Sequence, residues 1–161
     1  MSEGPLGWVL EGHLARRFRE GPARVSYLVE TDRRWRTRKA IVEQVIHGDR
    51  CSLEVEVRGS MWYVSGRKDE RLHGSVDVDL GASPVTNSLP INRVRLKVGE
   101  GVELTAAWVR FPDLEVMPLV QSYRRVGERT YSYRSSSGFS SKIEVDGFGL
   151  VRRYGDFWRA L

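Results

Sequence analysis

The sequence predicts an all-β protein built as one curled, many-stranded antiparallel sheet, an open β-barrel. Three observations carry that expectation. Apolar and polar residues alternate with period two along most of the chain. Glycine-bearing turns recur at hairpin spacing, at His47-Gly48-Asp49, Arg58-Gly59-Ser60, Gly99-Glu100-Gly101, Val126-Gly127-Glu128 and Asp146-Gly147. Helical periodicity is almost absent, and so many strands in one domain must close or curl to hide their edges.

Taken in order, Ala23, Val25, Tyr27 and Val29 alternate with Arg24, Ser26, Leu28 and Glu30. Thr37 to Ile46 is rich in β-branched residues, and Cys51, Leu53, Val55 and Val57 keep one phase, which predicts a half-buried thiol. Met61 to Val64 reads as a short aromatic strand. Asp77 to Arg93 breaks the pattern; Pro84 and Pro90 bias Ser83 and Leu89 toward extended backbone, which predicts a rigid extended crossing. Val94, Leu96 and Val98 alternate with Arg93, Arg95 and Lys97, and Val102 to Trp108 alternates again. Val116 to Tyr123, Thr130 to Arg134 and Lys142 to Val145 continue the series. Helix is expected only as a short C-terminal piece, Tyr154 to Leu161, or as a turn in Leu10 to Phe18, which reads equally as strand. Tyr27, Val29 and Trp35 are echoed by Tyr131, Tyr133 and Phe139 at a constant offset of 104 residues, as two similar halves or two hairpins of one type would give.

The 161 residues suit a single domain, residues 1–161, and 40% hydrophobic composition allows a real core. Cys51 is the one cysteine, so no internal disulfide can form. Met1 to Gly7 lacks the pattern of a secretory leader and no apolar run nears the ~18 residues of a membrane helix, so a cytoplasmic location is expected. The net charge of +5 is a modest excess with acids interleaved among the bases. It fits solvated strand faces, or attraction to an anion such as nucleic acid, lipid head or phosphate.

Few residues suggest chemistry. His13, His47 and His73 sit at no metal-ligand spacing, and no metal or cofactor is expected. Gly99-Glu100-Gly101 lacks a third glycine, and the serine run Ser135 to Ser141 has no nucleophile elbow. Asp77 and Asp79, at i and i+2, share a strand face about 7 Å apart. They can serve acid–base chemistry, pair with Arg38, Arg93 or Arg95, or contact a ligand at a cavity mouth. The abundant aromatics fill a core or line a pocket.

The run Gly74-x-x-Asp77-Val78-Asp79-Leu80-x-x-Ser83-Pro84-x-Thr86-Asn87-x-Leu89-Pro90-Ile91 resembles the signature of the putative glycolipid-binding family, formerly a domain of unknown function. Tyr27-x-Val29, Trp35-x-Thr37-Arg38, Trp62, Pro118-x-x-Gln121-x-Tyr123 and Tyr131-x-Tyr133 extend the likeness over roughly Trp8 to Trp158. The resemblance implies a curled antiparallel sheet like that of bacterial lipoprotein carriers. It implies non-enzymatic binding of a lipid-like or glycolipid-like amphipathic ligand in a hydrophobic cavity. On that reading Trp35, Trp62, Trp108, Tyr123, Tyr131 and Phe139 are the expected apolar lining, and Arg38, Asp79, Asn87, Arg93 and Gln121 the expected polar contacts at its mouth. Two rival readings stand beside it: single-stranded nucleic acid on a basic aromatic sheet face, and an enzyme using Asp77 or Asp79 on a small amphipathic substrate. The sequence leaves the oligomeric state open.

Overall fold

The structure, a computed structural model, describes residues 1–160; Leu161 lies outside the described residues. Seven strands form a first sheet in chain order: β1 Ser2–Gly4, β2 Gly7–Phe18, β3 Gly21–Thr31, β4 Thr37–Ile46, β5 Asp49–Arg58, β6 Met61–Val64 and β7 Arg67–Lys68. Seven more form a second: β8 Asp77–Leu80, β9 Gly101–Val109, β10 Val116–Gly127, β11 Thr130–Ser135, β12 Ser140–Val145, β13 Val151–Tyr154 and β14 Trp158–Arg159. The all-β class is as the sequence predicts, and one sheet curls into a half-barrel. The strands divide between two hydrogen-bonded sheets rather than running through one. The division falls at 69–76, where a 3-10 turn, Glu70–Leu72, leads from one sheet to the other.

Four local expectations give way. The C-terminal segment is strand: Tyr154 pairs with Trp158 across β13 and β14, because Gly155, at φ 54, turns the chain back on itself. Strand β8 lies parallel to β9, so the segment between them must be a crossover. That crossover is helical rather than extended. Ser83 accepts a hydrogen bond from the Val85 backbone amide and starts a 3-10 turn at Pro84–Asn87, which runs into α1, Ser88–Val94. Pro90 falls in the first turn of α1, where a missing N–H costs no helical bond, so its bias on Leu89 is overruled. The alternation at Val94, Leu96 and Val98 is not strand, because Arg95 takes a left-handed conformation that ends α1. Cys51 is exposed. It keeps the phase of Leu53 and Val55, but it lies beside the β4–β5 turn, beyond the buried part of β5.

Two apolar clusters result. The first joins Val29, Ala40, Val42, Val55 and Trp62 of the first sheet to Val78, Leu80, Ala107 and Val109 of the second. The second lies within the later sheet, where Ile91 packs with Tyr123, Tyr131, Ile143, Val145 and Val151. Helix α1 pins them together, since Leu89 belongs to the first and Ile91 to the second. Between the sheets the buried Thr37 hydroxyl accepts the Val78 amide at 2.8 Å, and the Trp62 indole donates to the Ser75 carbonyl at 3.0 Å. Thr37→Val keeps the volume and strands the Val78 N–H. It is expected to lower the urea-unfolding free energy by about 1–3 kcal/mol, and an unchanged midpoint would refute that role for the hydroxyl.

Candidate functional site

Cross-strand register places Asp79 beside Trp108, Ala106 beside Leu119, and Tyr123 beside Tyr133, all on one face of the second sheet. Helix α1 covers part of that face. The rest opens into a cleft of about 690 Å³. Its far wall is Leu14 and Arg16 of β2 in the first sheet, and its near end is the Gly81–Pro84 loop. Arg16 closes that corner by donating from Nη1 to the carbonyls of Gly81 and Ala82 at 3.0 and 3.1 Å. Gly81 is required here, because a Cβ would stand 2.9 Å from the Trp108 indole nitrogen.

The cleft is lined by both apolar and polar side chains. Leu14, Ala82, Trp108, Leu119, Phe139 and Phe157 supply the apolar surface. Phe139 stacks on Tyr154 with ring centroids 5.6 Å apart and meets Phe157 at 5.7 Å, which makes an aromatic rim. Phe157 is 76% exposed.

Among the polar residues, Asp79 and Asn87 belong to a hydrogen-bonded chain in which Asp79 is part-exposed and the others are buried. Asp79 accepts from the Thr86 hydroxyl at 2.9 Å and from Gln121 Nε2 at 2.7 Å. Tyr123 Oη lies 3.1 Å from Gln121 Oε1 and donates to Asn87 Oδ1 at 2.7 Å. Asn87 in turn donates to the Pro84 carbonyl at 3.0 Å. The Asp79 carboxyl is enclosed by protein except where it meets the cleft. Burial pushes its pKa up to about 6; the Thr86 and Gln121 hydrogen bonds oppose that push and the charge of Asp77 adds to it. Burial also raises the phenols of Tyr133 and Tyr154, which line the same cleft, and the Asp79 charge adds to the effect on both.

The structure brings Asp79, Asn87, Trp108 and Phe139 together in this cleft, with Gln121 and Tyr123 behind them in the hydrogen-bonded chain. It places the other expected residues elsewhere. Trp35 is buried in the first cluster, stacked on Trp8 at 5.1 Å. Trp62 is buried in the same cluster, and with exposed Arg38 it borders a separate groove of about 620 Å³. Tyr131 belongs to the second cluster. Arg93 pairs with Asp77, Nη2 to Oδ2 at 2.5 Å and Nε to Oδ1 at 3.2 Å, which ties α1 to β8. Burial pushes the Asp77 carboxyl up and the Arg93 guanidinium opposes it. Chemistry by two free carboxylates therefore loses one member, because Asp77 has an arginine partner and only Asp79 faces the cleft.

Sequence reasoning missed Leu14, Leu119, Tyr133, Tyr154 and Phe157 as cleft residues. Tyr133 carried a signal in its shared phase with Tyr131. Tyr154 and Phe157 were hidden by assignment to a helix, and Leu14 can join the cleft only once the first sheet folds over the second.

The family described as "Putative glycolipid-binding" matches residues 1–160. A crystal structure of a DUF1089 family protein from Pseudomonas aeruginosa is similar throughout, with a TM-score of 0.87 and 27% identity, covering 100% of this chain and 96% of that one. No curated protein matches.

Proposed function

We propose that this chain, which belongs to the family described as "Putative glycolipid-binding", binds an amphipathic, lipid-like molecule in the cleft between its two sheets. The observation that carries the reading is the mixed lining of the cleft. Its aromatic and aliphatic side chains suit an acyl or similar chain, and Asp79 and Asn87 among them offer hydrogen-bonding groups to a polar head. A volume of about 690 Å³ falls within the ~300–1,000 Å³ of small-molecule sites. The cleft sets one carboxylate, Asp79, against one guanidinium, Arg16, which suits an uncharged or zwitterionic, hydroxyl-rich head over one of a single net charge.

The test is native mass spectrometry of protein purified from its own host, with titration of an uncharged monoacylglycerol probe followed by Trp108 and Trp158 fluorescence. Co-purifying lipid and saturable quenching are expected. Ser135→Trp, which fills the cleft from its β11 wall without removing core packing, should weaken the probe about tenfold or more, the loss of one or two buried side-chain contacts. Absence of both lipid and quenching, or quenching indifferent to Ser135→Trp, would overturn the reading.

A further inference from the structure

Away from the cleft, and sharing no residue with it, a further concavity of about 380 Å³ is lined by five arginines: Arg33, Arg34 and Arg36 from the β3–β4 loop, and Arg93 and Arg95 from the end of α1. Charges of one sign at this density repel each other unless acids neutralise them. Arg93 is neutralised by Asp77. Among the described residues, Arg33, Arg34, Arg36 and Arg95 have no carboxylate within ion-pair distance. Asp32, the acid of the same loop, forms no ion pair, since its Oδ1 accepts the backbone amides of Arg34 and Arg36 at 2.8 and 2.9 Å; five arginines against Asp32 and Asp77 leave the corner at +3. That capping sets the loop shape and leaves the arginine side chains outward, with Arg33, Arg34, Arg36 and Arg95 all exposed.

An exposed aromatic stands beside this corner. Asn92, which lines the concavity, donates from Nδ2 to the Gly149 carbonyl at 3.2 Å. The neighbouring residue, Phe148, is 76% exposed at the tip of the β12–β13 turn. The turn is held rigidly: Asp146 Oδ1 accepts the amides of Phe148 and Leu150, and Gly149, at φ 75, fits closely over Asn92. The ring is thus presented to solvent by a fixed scaffold and has no apolar surface of its own chain to cover it.

We infer that the arginine corner and Phe148 form a docking site for an anionic lipid bilayer surface. The arginines would lie against lipid phosphates and the ring would enter the headgroup boundary, where aromatic side chains are favoured. A multi-anionic surface matches four guanidiniums without ion-pair partners better than a single anion, and guanidinium forks pair with phosphate oxygens in two-pronged fashion. A nucleic-acid duplex offers the same phosphates but keeps its bases stacked away from an isolated ring, whereas a bilayer accepts a single aromatic anchor; single strands, whose bases are free to stack, are the competing outcome of the test. The inference stands whether or not the cleft takes a lipid.

The test is flotation with vesicles of phosphatidylcholine alone and of phosphatidylcholine containing 30 mol% (about a third) phosphatidylglycerol, in low and high salt. Wild type is expected to bind the anionic vesicles in low salt and to be released by salt. Each arginine near such a surface is worth about fivefold, so Arg33→Glu with Arg34→Glu should weaken binding by at least about twentyfold. Phe148→Ser should weaken it several-fold while keeping the salt dependence. Both variants alter exposed side chains and should unfold at the wild-type temperature; a variant that does not is replaced by Arg34→Gln with Arg95→Gln. Equal binding to both vesicle types, no binding, or tighter binding of single-stranded DNA or inorganic phosphate at the same salt would overturn the inference.

Discussion

Arg93→Ala is expected to cost about 3 kcal/mol or more of folding stability at neutral pH. Asp77 is almost fully buried, and its only side-chain partner among the described residues is the Arg93 guanidinium. Removing one member of such a pair leaves an uncompensated charge in a medium that solvates it poorly. Burial already pushes the Asp77 carboxyl up with arginine opposing, so without arginine it must rise further. The sign of the pH effect follows. An acid whose folded pKa lies above its unfolded value is destabilising once ionised, so the deficit of the variant should shrink on acidification, as the carboxyl takes up its proton. Urea unfolding at pH 7 and pH 5 measures this, and Asp77→Asn with Arg93→Ala should recover part of the loss. A deficit that is the same at both pH values would show that Arg93 acts through packing rather than charge. The pair also joins α1 to the edge strand of the cleft sheet, so the single variant should loosen the cleft as well as the fold.

What the sequence made legible was whatever depends on near neighbours. Alternation at Ala23 to Val29 and at Leu53 to Val57 follows from the two faces of a strand, and both strands are present. The glycine at Asp146-Gly147 marks a real turn. The Asp77–Arg93 pair was one of the partnerships left open for the two acids, beside Arg38 and Arg95. Failure came where a distant contact decided the outcome. Alternation in Asp77–Arg93 was broken, and two prolines argued for extended chain. The segment is nevertheless helical because Leu89 and Ile91 each have a separate apolar cluster to enter, which only a helix at that point allows. Trp35 and Trp62 were expected in a cavity because aromatic character cannot tell a core from a pocket. The register of two sheets against each other decides that. Leu14 and Phe157, more than 140 residues apart in the chain, meet at one cleft, and no local pattern could have paired them.

Asp79→Asn should make the protein more stable, by about 3 kcal/mol at pH 7 and above. The carboxyl rises from an ordinary 3.8 to about 6 on folding, and about two pKa units correspond to roughly 3 kcal/mol. Between pH 3.8 and about 6 the folded protein holds a proton that the unfolded chain has released. Wild-type stability therefore falls as pH rises through that window and levels off above it. The asparagine variant should lack that fall, match wild type below about pH 4 and exceed it above about pH 6. The hydrogen-bonded chain accommodates the change. As it stands, Tyr123 has one phenolic proton facing two carbonyl oxygens, Asn87 Oδ1 and Gln121 Oε1. Turning the Gln121 amide over aligns the donors in one direction. The new side-chain amide at position 79 then donates to Gln121, Gln121 donates to Tyr123, and Tyr123 donates to Asn87. Thr86 still donates to the oxygen at position 79. Protonated Asp79 can do the same in the wild type, so the neutral network is the better satisfied one. A natural protein that keeps a carboxylate where an amide fits better gives up stability at neutral pH, and a polar group required in the cleft is the physical reason available. Unfolding curves of the two proteins from about pH 3.5 to 8 decide the matter, and parallel curves would remove the burial argument for Asp79. If they diverge as expected while the variant loses affinity for the monoacylglycerol probe, the carboxylate is retained for what enters the cleft.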